Sequence, residues 1–160
     1  MSQSDSIWVK VHLKSSIEKF YGFFRNHMED LVNMFPEQFK SFAFVEGQSL
    51  SADTVVQLEY NLGSHQLLTA NIKLKVVDDM KKYIIYEAVE GDVLKNYKVF
   101  TTRLEVVNGS LSKVGGGSFA KWTIDFVKAN ENVPSPENYL EMFINMSKGV
   151  DAYFSKNQKP

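Results

Sequence analysis

Apolar residues occupy every second position from Ile7 to Leu13, and polar side chains such as Lys10 and His12 lie between them. This period of two predicts a strand with one buried face. The exposed face would carry Trp8 together with the two polar side chains. The chain therefore opens with a half-buried strand.

Two short helices are predicted after this strand. The run SSIE at residues 15–18 fits a capping box, in which Ser15 and Glu18 satisfy free backbone amides at a helix start. Phenylalanines then recur on one side of the predicted helix. The run RNHM at residues 25–28 predicts a break, and a second short helix follows from about Glu29 until Pro36 ends it.

From Phe39 to Lys128 the pattern predicts six further strands. Turn chemistry separates them at residues 62–65, 78–81, 90–92 and 108–117, and the last of these segments is rich in glycine. Strands joined by such short turns must be antiparallel neighbours. The run EGD at residues 90–92 is interpreted as a corner, with Gly91 supplying the turn and both carboxylates in solvent.

The last predicted element is a long helix. Ser135 is suited to its N-cap and Pro136 to its first position, and Glu137 would lie near the positive end of the helix dipole. Apolar residues then recur at helical spacing from Tyr139 to about Phe154.

Residues 1–160 are therefore expected to form a single α+β domain. Seven strands would make a curved antiparallel sheet wrapped round the long C-terminal helix. The concave face of such a sheet is larger than one helix can cover, and the two short helices would close one end. The large apolar side chains aimed at this space either fill it as core or line an internal hydrophobic cavity.

Composition and charge exclude several classes of function. Apolar residues make up 44% of the chain and charged residues 23%, with a net charge of −1. These values are typical of a globular protein, and the dispersed lysines form no stripe that would bind nucleic acid. The absence of cysteine excludes thiol chemistry and zinc–thiolate sites. No apolar run reaches the length of a membrane span, and no secretory signal is recognised, so a cytoplasmic location is expected.

Several motifs, in order along nearly the whole chain, resemble the Bet v 1 superfamily of plant proteins, and within it the major latex protein group. The motifs are MFPE at residues 34–37, EGDVLKNYKVF at 90–100, WTIDFVK at 122–128, NVPSP at 132–136 and MSKGVD at 146–151. The resemblance implies the helix-grip fold and a large hydrophobic cavity.

One loop departs from the family pattern. Relatives usually carry a glycine-rich loop of the form EGxGxxG, whereas this chain reads VEGQSLSAD at residues 45–53 and keeps only Gly47. A glycine loop can present successive amides to a phosphate, so its loss weakens a nuclease or nucleotide-binding function. A cavity mouth reshaped for a particular small molecule is the resulting hypothesis.

Three tyrosines are candidates for the chemistry of the cavity. Tyr60, Tyr86 and Tyr139 lie on the inward registers of their elements, where a buried phenol needs a hydrogen-bond partner. Each phenol either reaches a backbone carbonyl or orients the oxygen atom of a ligand. His27, between the short helices, is a fourth candidate, as a base at the cavity mouth.

The apolar wall would bind the ligand. Its candidates are bulky residues on the inward registers, and the methionines among them suit a wall that adapts to more than one ligand shape. They are Phe23, Phe24, Met28, Phe35, Leu58, Ile84, Phe100, Trp122, Phe143 and Met146. The histidines match no metal template, so neither a metal nor another cofactor is expected.

The sequence is thus interpreted as a carrier or store of a hydrophobic plant small molecule, such as a terpenoid, sterol, phenolic or hormone-like compound. The alternative is a cofactor-free enzyme, a cyclase or isomerase of a reactive iridoid, terpenoid or alkaloid intermediate. A dry cavity could hold such a substrate in one conformation while phenols stabilise developing charge. A stress or interaction role without a dedicated ligand is a third possibility.

Overall fold

Seven antiparallel strands form one curved sheet in the computed structural model, which describes residues 4–109 and 118–156. The sheet order is β1-β7-β6-β5-β4-β3-β2, so strands β2 to β7 pair with their neighbours in the chain and β1 pairs with β7. The strands are β1 (Ser4–His12), β2 (Phe39–Glu46), β3 (Val55–Tyr60), β4 (Leu68–Asp78), β5 (Tyr83–Gly91), β6 (Tyr97–Val107) and β7 (Phe119–Lys128).

The helices lie in the order that the sequence predicts, with one addition. Helix α1 (Ile17–Asn26) is followed by a 3-10 turn (Met28–Asp30) that continues into α2 (Leu31–Met34). A one-turn helix, α3 (Val93–Asn96), lies between β5 and β6, and the long helix α4 (Glu137–Lys156) ends the described chain. The predicted α+β, helix-grip architecture is confirmed. None of the helices in the described ranges is long and apolar enough to cross a membrane.

The core lies between the concave face of the sheet and α4. The inward positions of β6 and β7, including Leu104 and Ile124, are fully buried, as the period-two pattern predicts. Helix α4 buries Phe143, Met146 and Val150, which recur at helical spacing on one side of it. The burial of these two apolar surfaces against each other stabilises the fold.

The predicted capping box is wrong by one residue. Ser16, and not Ser15, is the N-cap of α1, and its hydroxyl accepts a hydrogen bond from the amide of Lys19. Ser15 is buried, and its hydroxyl donates to Asp151 of α4 at 2.6 Å. Adjacent serines present the same local signal, and the contact with a distant helix decides between them.

The EGD segment is more than a hairpin corner, because α3 is inserted after it. Gly91 has a φ of +117°, and a Cβ atom there would lie 2.2 Å from the carbonyl oxygen of Thr69. Asp92 is not simply solvated, since it accepts a hydrogen bond from the amide of Thr69 at 2.9 Å and pairs with Lys95. Hydrogen bonds from Lys95 and the Thr69 amide lower the pKa of Asp92.

Helix α4 begins at Glu137, one residue after the predicted position. A difference of one residue is ordinary at a helix end. The glycine-rich turn predicted at residues 108–117 lies almost entirely outside the described residues, which stop at 109 and resume at 118.

Candidate functional site

An internal cavity lies between the concave face of the sheet and α4, and we call it the inner cavity. Its volume is about 70 Å³. It is lined by Phe24, Met28, Leu31, Phe39, Leu58, Tyr60, Ala70, Ile72, Tyr86, Ala88, Val93, Phe100, Thr102, Trp122, Tyr139, Met142, Phe143 and Met146. None of these side chains carries a charge, so the cavity is suited to a neutral molecule.

Aromatic packing keeps the inner cavity small. Trp122 stacks on Phe143 with 4.8 Å between ring centroids, and Phe24 packs edge-on against Trp122 at 5.4 Å. The indole nitrogen of Trp122 donates to Ser147 of α4 at 2.7 Å and so fixes the ring. The expectation of a large cavity is therefore wrong for this structure, because these side chains fill much of the space.

Tyr60 and Tyr139 form a hydroxyl pair in the cavity wall. Their phenol oxygens lie 2.5 Å apart, joining β3 to α4, and the ring of Phe100 packs 4.8 Å from that of Tyr139. Burial raises the pKa of Tyr60 to about 12, and it also raises the pKa of Tyr139. Both phenols are therefore neutral near pH 7, and the hydrogen bond between them uses the proton of one and the oxygen of the other.

Tyr86 differs from this pair because its phenol has no partner in the described part of the chain. The residue is 5% exposed, and among the described residues no group hydrogen-bonds with its buried hydroxyl. Burial also raises the pKa of Tyr86, so the group is a neutral donor and acceptor. An unpaired buried hydroxyl costs about 1–3 kcal/mol, a cost that a ligand oxygen atom could remove.

A wider pocket, which we call the outer pocket, adjoins the inner cavity at the end of the sheet where α3 lies. Its volume is about 690 Å³. Val93 and Tyr139 line both spaces, so these two residues form the wall between them. The other residues of the outer pocket are Leu62, Leu68, Asp92, Asn96, Tyr97, Asn130, Asn132, Val133, Pro134, Ser135, Glu137 and Asn138.

Ten of the candidate residues come together at the inner cavity. Three are the tyrosines, and the other seven are apolar. The ten residues are Tyr60, Tyr86, Tyr139, Phe24, Met28, Leu58, Phe100, Trp122, Phe143 and Met146.

Four candidates lie elsewhere. Phe23 is buried against Phe154, with 6.4 Å between ring centroids, and Ile84 is fully buried in the core. Phe35 packs against α4, where a Cβ atom at Gly149 would lie 2.5 Å from its ring. The exposed His27 is the C-cap of α1 and does not line the cavity, so the structure does not place a base there.

Eight lining residues were not among the candidates. Four of them, Ala70, Ile72, Ala88 and Thr102, lie on the inward register of their strands but are small or aliphatic, whereas the candidates were bulky residues. The eight residues are Leu31, Phe39, Ala70, Ile72, Ala88, Val93, Thr102 and Met142. Thr102 lies directly opposite Tyr86 in the pairing of β5 with β6.

Metal chemistry has no evident site in the part of the chain that the structure describes. No group of three or more histidine, aspartate or glutamate side chains there could hold a metal ion.

Comparison with known sequences places the chain among plant proteins. The model of the Pathogenesis-related protein Bet v 1 family matches residues 2–157. Major latex protein 146 of Papaver somniferum is 31% identical over 137 residues, which cover 85% of this chain and 82% of that protein. The chain spans about half the length of two longer Arabidopsis thaliana relatives, MLP-like protein 34 (46%) and MLP-like protein 28 (42%).

Comparison with solved structures supports the same fold. Ginseng major latex-like protein 151 from Panax ginseng superposes with a TM-score of 0.85 at 20% identity, covering 94% of this chain and 97% of that one. Norcoclaurine synthase from Thalictrum flavum, solved in complex with dopamine and hydroxybenzaldehyde, superposes with a TM-score of 0.79 at 13% identity. The latter match covers 99% of this chain and 91% of the synthase.

Proposed function

The chain belongs to the Bet v 1 family of pathogenesis-related proteins, within its major latex protein-like group, and we propose that it carries or stores a neutral, hydrophobic plant small molecule. The molecule would be a terpenoid, sterol, phenolic or hormone-like compound that bears at least one oxygen atom. It would enter the inner cavity, whose lining has no charged side chain. Burial of apolar ligand surface would provide most of the binding free energy.

The unpaired hydroxyl of Tyr86 is the observation that carries this proposal. In a cavity lined mainly by apolar side chains, a buried phenol with no partner among the described residues favours a ligand with a carbonyl or hydroxyl group at that point. The phenol is neutral, so it would donate to a carbonyl without requiring a charged ligand. Thr102, opposite Tyr86 on β6, supplies a second hydroxyl to the same part of the wall.

The small volume of the inner cavity requires the wall to adapt when a ligand enters. Three of the lining residues are methionines, Met28, Met142 and Met146. Methionine side chains are unbranched and flexible, so they can be displaced at low cost. Met142 and Met146 lie on α4, and their movement would enlarge the cavity without disturbing the sheet.

A ligand pair that differs by one oxygen atom tests the proposal. Carvone and limonene share a ten-carbon skeleton, and carvone adds a carbonyl group. In the wild-type protein we expect carvone to bind about fivefold to tenfold more tightly, the worth of one hydrogen bond. In Tyr86→Phe this preference should disappear while the affinity for limonene is retained. Titration calorimetry or displacement of a fluorescent probe measures both affinities.

Tyr83→Phe is the matched control, because Tyr83 belongs to the same strand but does not line the inner cavity. That variant should keep the preference for carvone. Equal preferences in wild type and Tyr86→Phe would show that the phenol does not bind the ligand oxygen.

The second candidate function is a cofactor-free cyclase or isomerase, and the Tyr60–Tyr139 pair favours it. When one phenol donates to the other, the accepting phenol keeps a free proton. That proton could stabilise the developing charge of an enolate in a site with little water. The raised pKa values make these groups hydrogen-bond donors and not bases near pH 7.

Product stereochemistry tests this second function. A short-lived terpenoid enol-aldehyde is generated in situ with wild type, with the Tyr60→Phe/Tyr139→Phe variant and with buffer alone. A catalyst should change the ratio of cyclised stereoisomers, measured by chiral gas chromatography, and the double variant should return it to the spontaneous ratio. The same ratio in all three samples would leave binding as the function.

A further inference from the structure

The outer pocket offers far more space for a ligand than the inner cavity does. Its volume is about 690 Å³, against about 70 Å³ for the inner cavity. Pockets for small molecules usually measure about 300–1,000 Å³, so the outer pocket alone falls within that range. Only Val93 and Tyr139 line both spaces among the described residues, so a ligand that extends from the inner cavity into the outer pocket would have to displace or pass between these two side chains.

Asparagine is the commonest polar residue among the described residues that line the outer pocket. Asn96 and Asn132 make no side-chain hydrogen bond to any described residue, and both are exposed. The oxygen atoms of Asn130 and Asn138 accept bonds from the backbone amides of residues 132 and 139, which leaves their NH₂ groups as donors. An amide both donates and accepts, as a hydroxyl group does, so this surface suits a group with several hydroxyls.

The charges of the outer pocket favour a neutral group. No lysine or arginine is found among the described residues that line it, so the lining itself offers no cation to a phosphate, sulfate or carboxylate. Of the two carboxylates, Asp92 is already engaged by Lys95 and by the Thr69 amide. Glu137 is exposed, where a single carboxylate attracts a cation only weakly.

Apolar side chains complete the outer pocket. Leu62, Leu68 and Val133 are partly buried there, and the hydroxyl of Tyr97 donates to the carbonyl of Pro134 at 2.7 Å. With that proton engaged, Tyr97 can offer a ligand only its ring and the acceptor side of its oxygen. Apolar side chains beside a row of amides match a saturated ring that has hydroxyl groups at its edge and C–H bonds on its faces.

We propose that the ligand is a neutral amphiphile, with an apolar body in the inner cavity and a hydroxyl-rich, sugar-like head in the outer pocket. The inference rests on the proposed binding function, because the inner cavity holds the apolar part. It adds a second binding region, whose amides and apolar side chains select the head, and it places Tyr139 at the junction of the two parts.

Octyl β-D-glucoside and 1-octanol test this inference, because they share an eight-carbon chain and differ in the head. Below the concentration at which the glucoside forms micelles, wild type should bind the glucoside about tenfold more tightly, as expected for two or more additional neutral hydrogen bonds. In the Asn96→Leu/Asn132→Leu variant the affinities for the glucoside and for octanol should agree within about twofold. The affinity for octanol should be the same as in wild type.

Asn26→Leu/Asn33→Leu is the matched control, because both residues are exposed and lie outside the two pockets. It should keep the preference for the glucoside. Side-chain amide signals in NMR spectra of the wild-type protein give a readout independent of the variants. Those of Asn96 and Asn132 should shift with the glucoside and remain in place with octanol.

Four results would overturn the inference. Three of them would leave the apolar binding function intact. The first is equal affinity of wild type for the glucoside and octanol, and the second is an unchanged preference for the glucoside in Asn96→Leu/Asn132→Leu. The third is tighter binding of octyl sulfate or octyltrimethylammonium than of the glucoside. Failure of both octanol and the glucoside to bind would overturn the inference and the proposed function together.

Discussion

Asp151 is the buried acidic side chain that fixes α4 against the start of α1. It is 8% exposed, and its carboxylate accepts hydrogen bonds from the amides of Lys14 and Ser15 at 3.0 and 2.8 Å and from the Ser15 hydroxyl at 2.6 Å. The carboxylate is satisfied by these neutral donors. Asp151 thus joins α4 to the segment that precedes α1. The sequence pattern places Asp151 in the last helix but does not predict this contact.

Replacing Asp151 should destabilise the protein in proportion to the acceptors that are lost. Asp151→Leu leaves two amides and a hydroxyl without their partner, and we expect a loss of roughly 2–4 kcal/mol in the free energy of unfolding. Asp151→Asn keeps one acceptor oxygen and should cost only about 1 kcal/mol. Urea unfolding measures both values. Equal stabilities of wild type and the two variants would contradict a stabilising role for the hydrogen bonds of Asp151.

Individual lining residues are predictable from the sequence as far as their register is. Tyr86 and Phe100 lie on strands where alternation fixes the inward face, and the structure places both at the inner cavity. Ile84 shares the inward face of β5 but lies beyond the cavity in the core. Register gives the face of a strand, and only the packing of α4 determines which part of that face remains uncovered.

The hydroxyl partners of the tyrosines could not be predicted. Tyr60 and Tyr139 are 79 residues apart, and their bond depends on how α4 crosses β3. Tyr86 carries the same local signal as Tyr60, yet its hydroxyl has no partner in the described chain. The chemically most informative difference among the three phenols is therefore a property of the tertiary structure.

The strands were predicted correctly where the alternation of apolar and polar residues is bounded by residues typical of turns. Each of the strands that alternation predicts is present, and the antiparallel order of β2 to β7 follows from their short connections. The pairing of β1 with β7 brings together segments more than 100 residues apart, which no local pattern specifies.

The sequence pattern did not predict helix α3, because one helical turn is too short to show the 3.6-residue spacing of apolar positions. Gly91 and Asp92 were nevertheless informative, since they mark where β5 ends. Their role is to hold α3 against β4 through the Thr69 amide, with Gly91 allowing the close approach. Val93, the first residue of α3, then reaches the wall between the two pockets. A segment interpreted as a corner thus forms part of the site.

Burial of the three cavity tyrosines should make the fold sensitive to alkali. Burial raises the pKa of Tyr60 to about 12 from an unfolded value of 10.0, and it raises those of Tyr86 and Tyr139 as well. Above pH 10 the unfolded chain loses these protons while the folded chain keeps them. The unfolded state then binds fewer protons, so the free energy of unfolding falls as the pH rises.

Each such tyrosine contributes a slope of up to about 1.4 kcal/mol per pH unit between its unfolded and folded pKa values. Urea unfolding at several pH values between about 8 and 11 measures the slope. Tyr86→Phe should reduce it, because one of the titrating groups is removed. Stability that does not change across this interval would contradict the burial of these phenols.

The molecule as a whole combines a small, mainly apolar inner cavity with a wider outer pocket. This arrangement explains how a chain with much of its aromatic content packed as core could still bind a sizeable ligand. The inner cavity supplies apolar surface and one unpaired phenol, and the outer pocket supplies volume and amides. Linings without lysine or arginine are what the two spaces share among the described residues, and this is why we propose a neutral, oxygenated ligand.

The infrared spectrum of bound carvone tests the central claim most directly, because the carbonyl band reports the hydrogen bond itself. If Tyr86 binds the ligand oxygen, the band of carvone bound to wild type should lie at lower frequency than that of carvone bound to Tyr86→Phe. Donation from a phenol weakens the carbonyl bond, and the variant lacks the phenol hydroxyl of Tyr86. The same band position in both proteins, with carvone bound in each, would contradict the account.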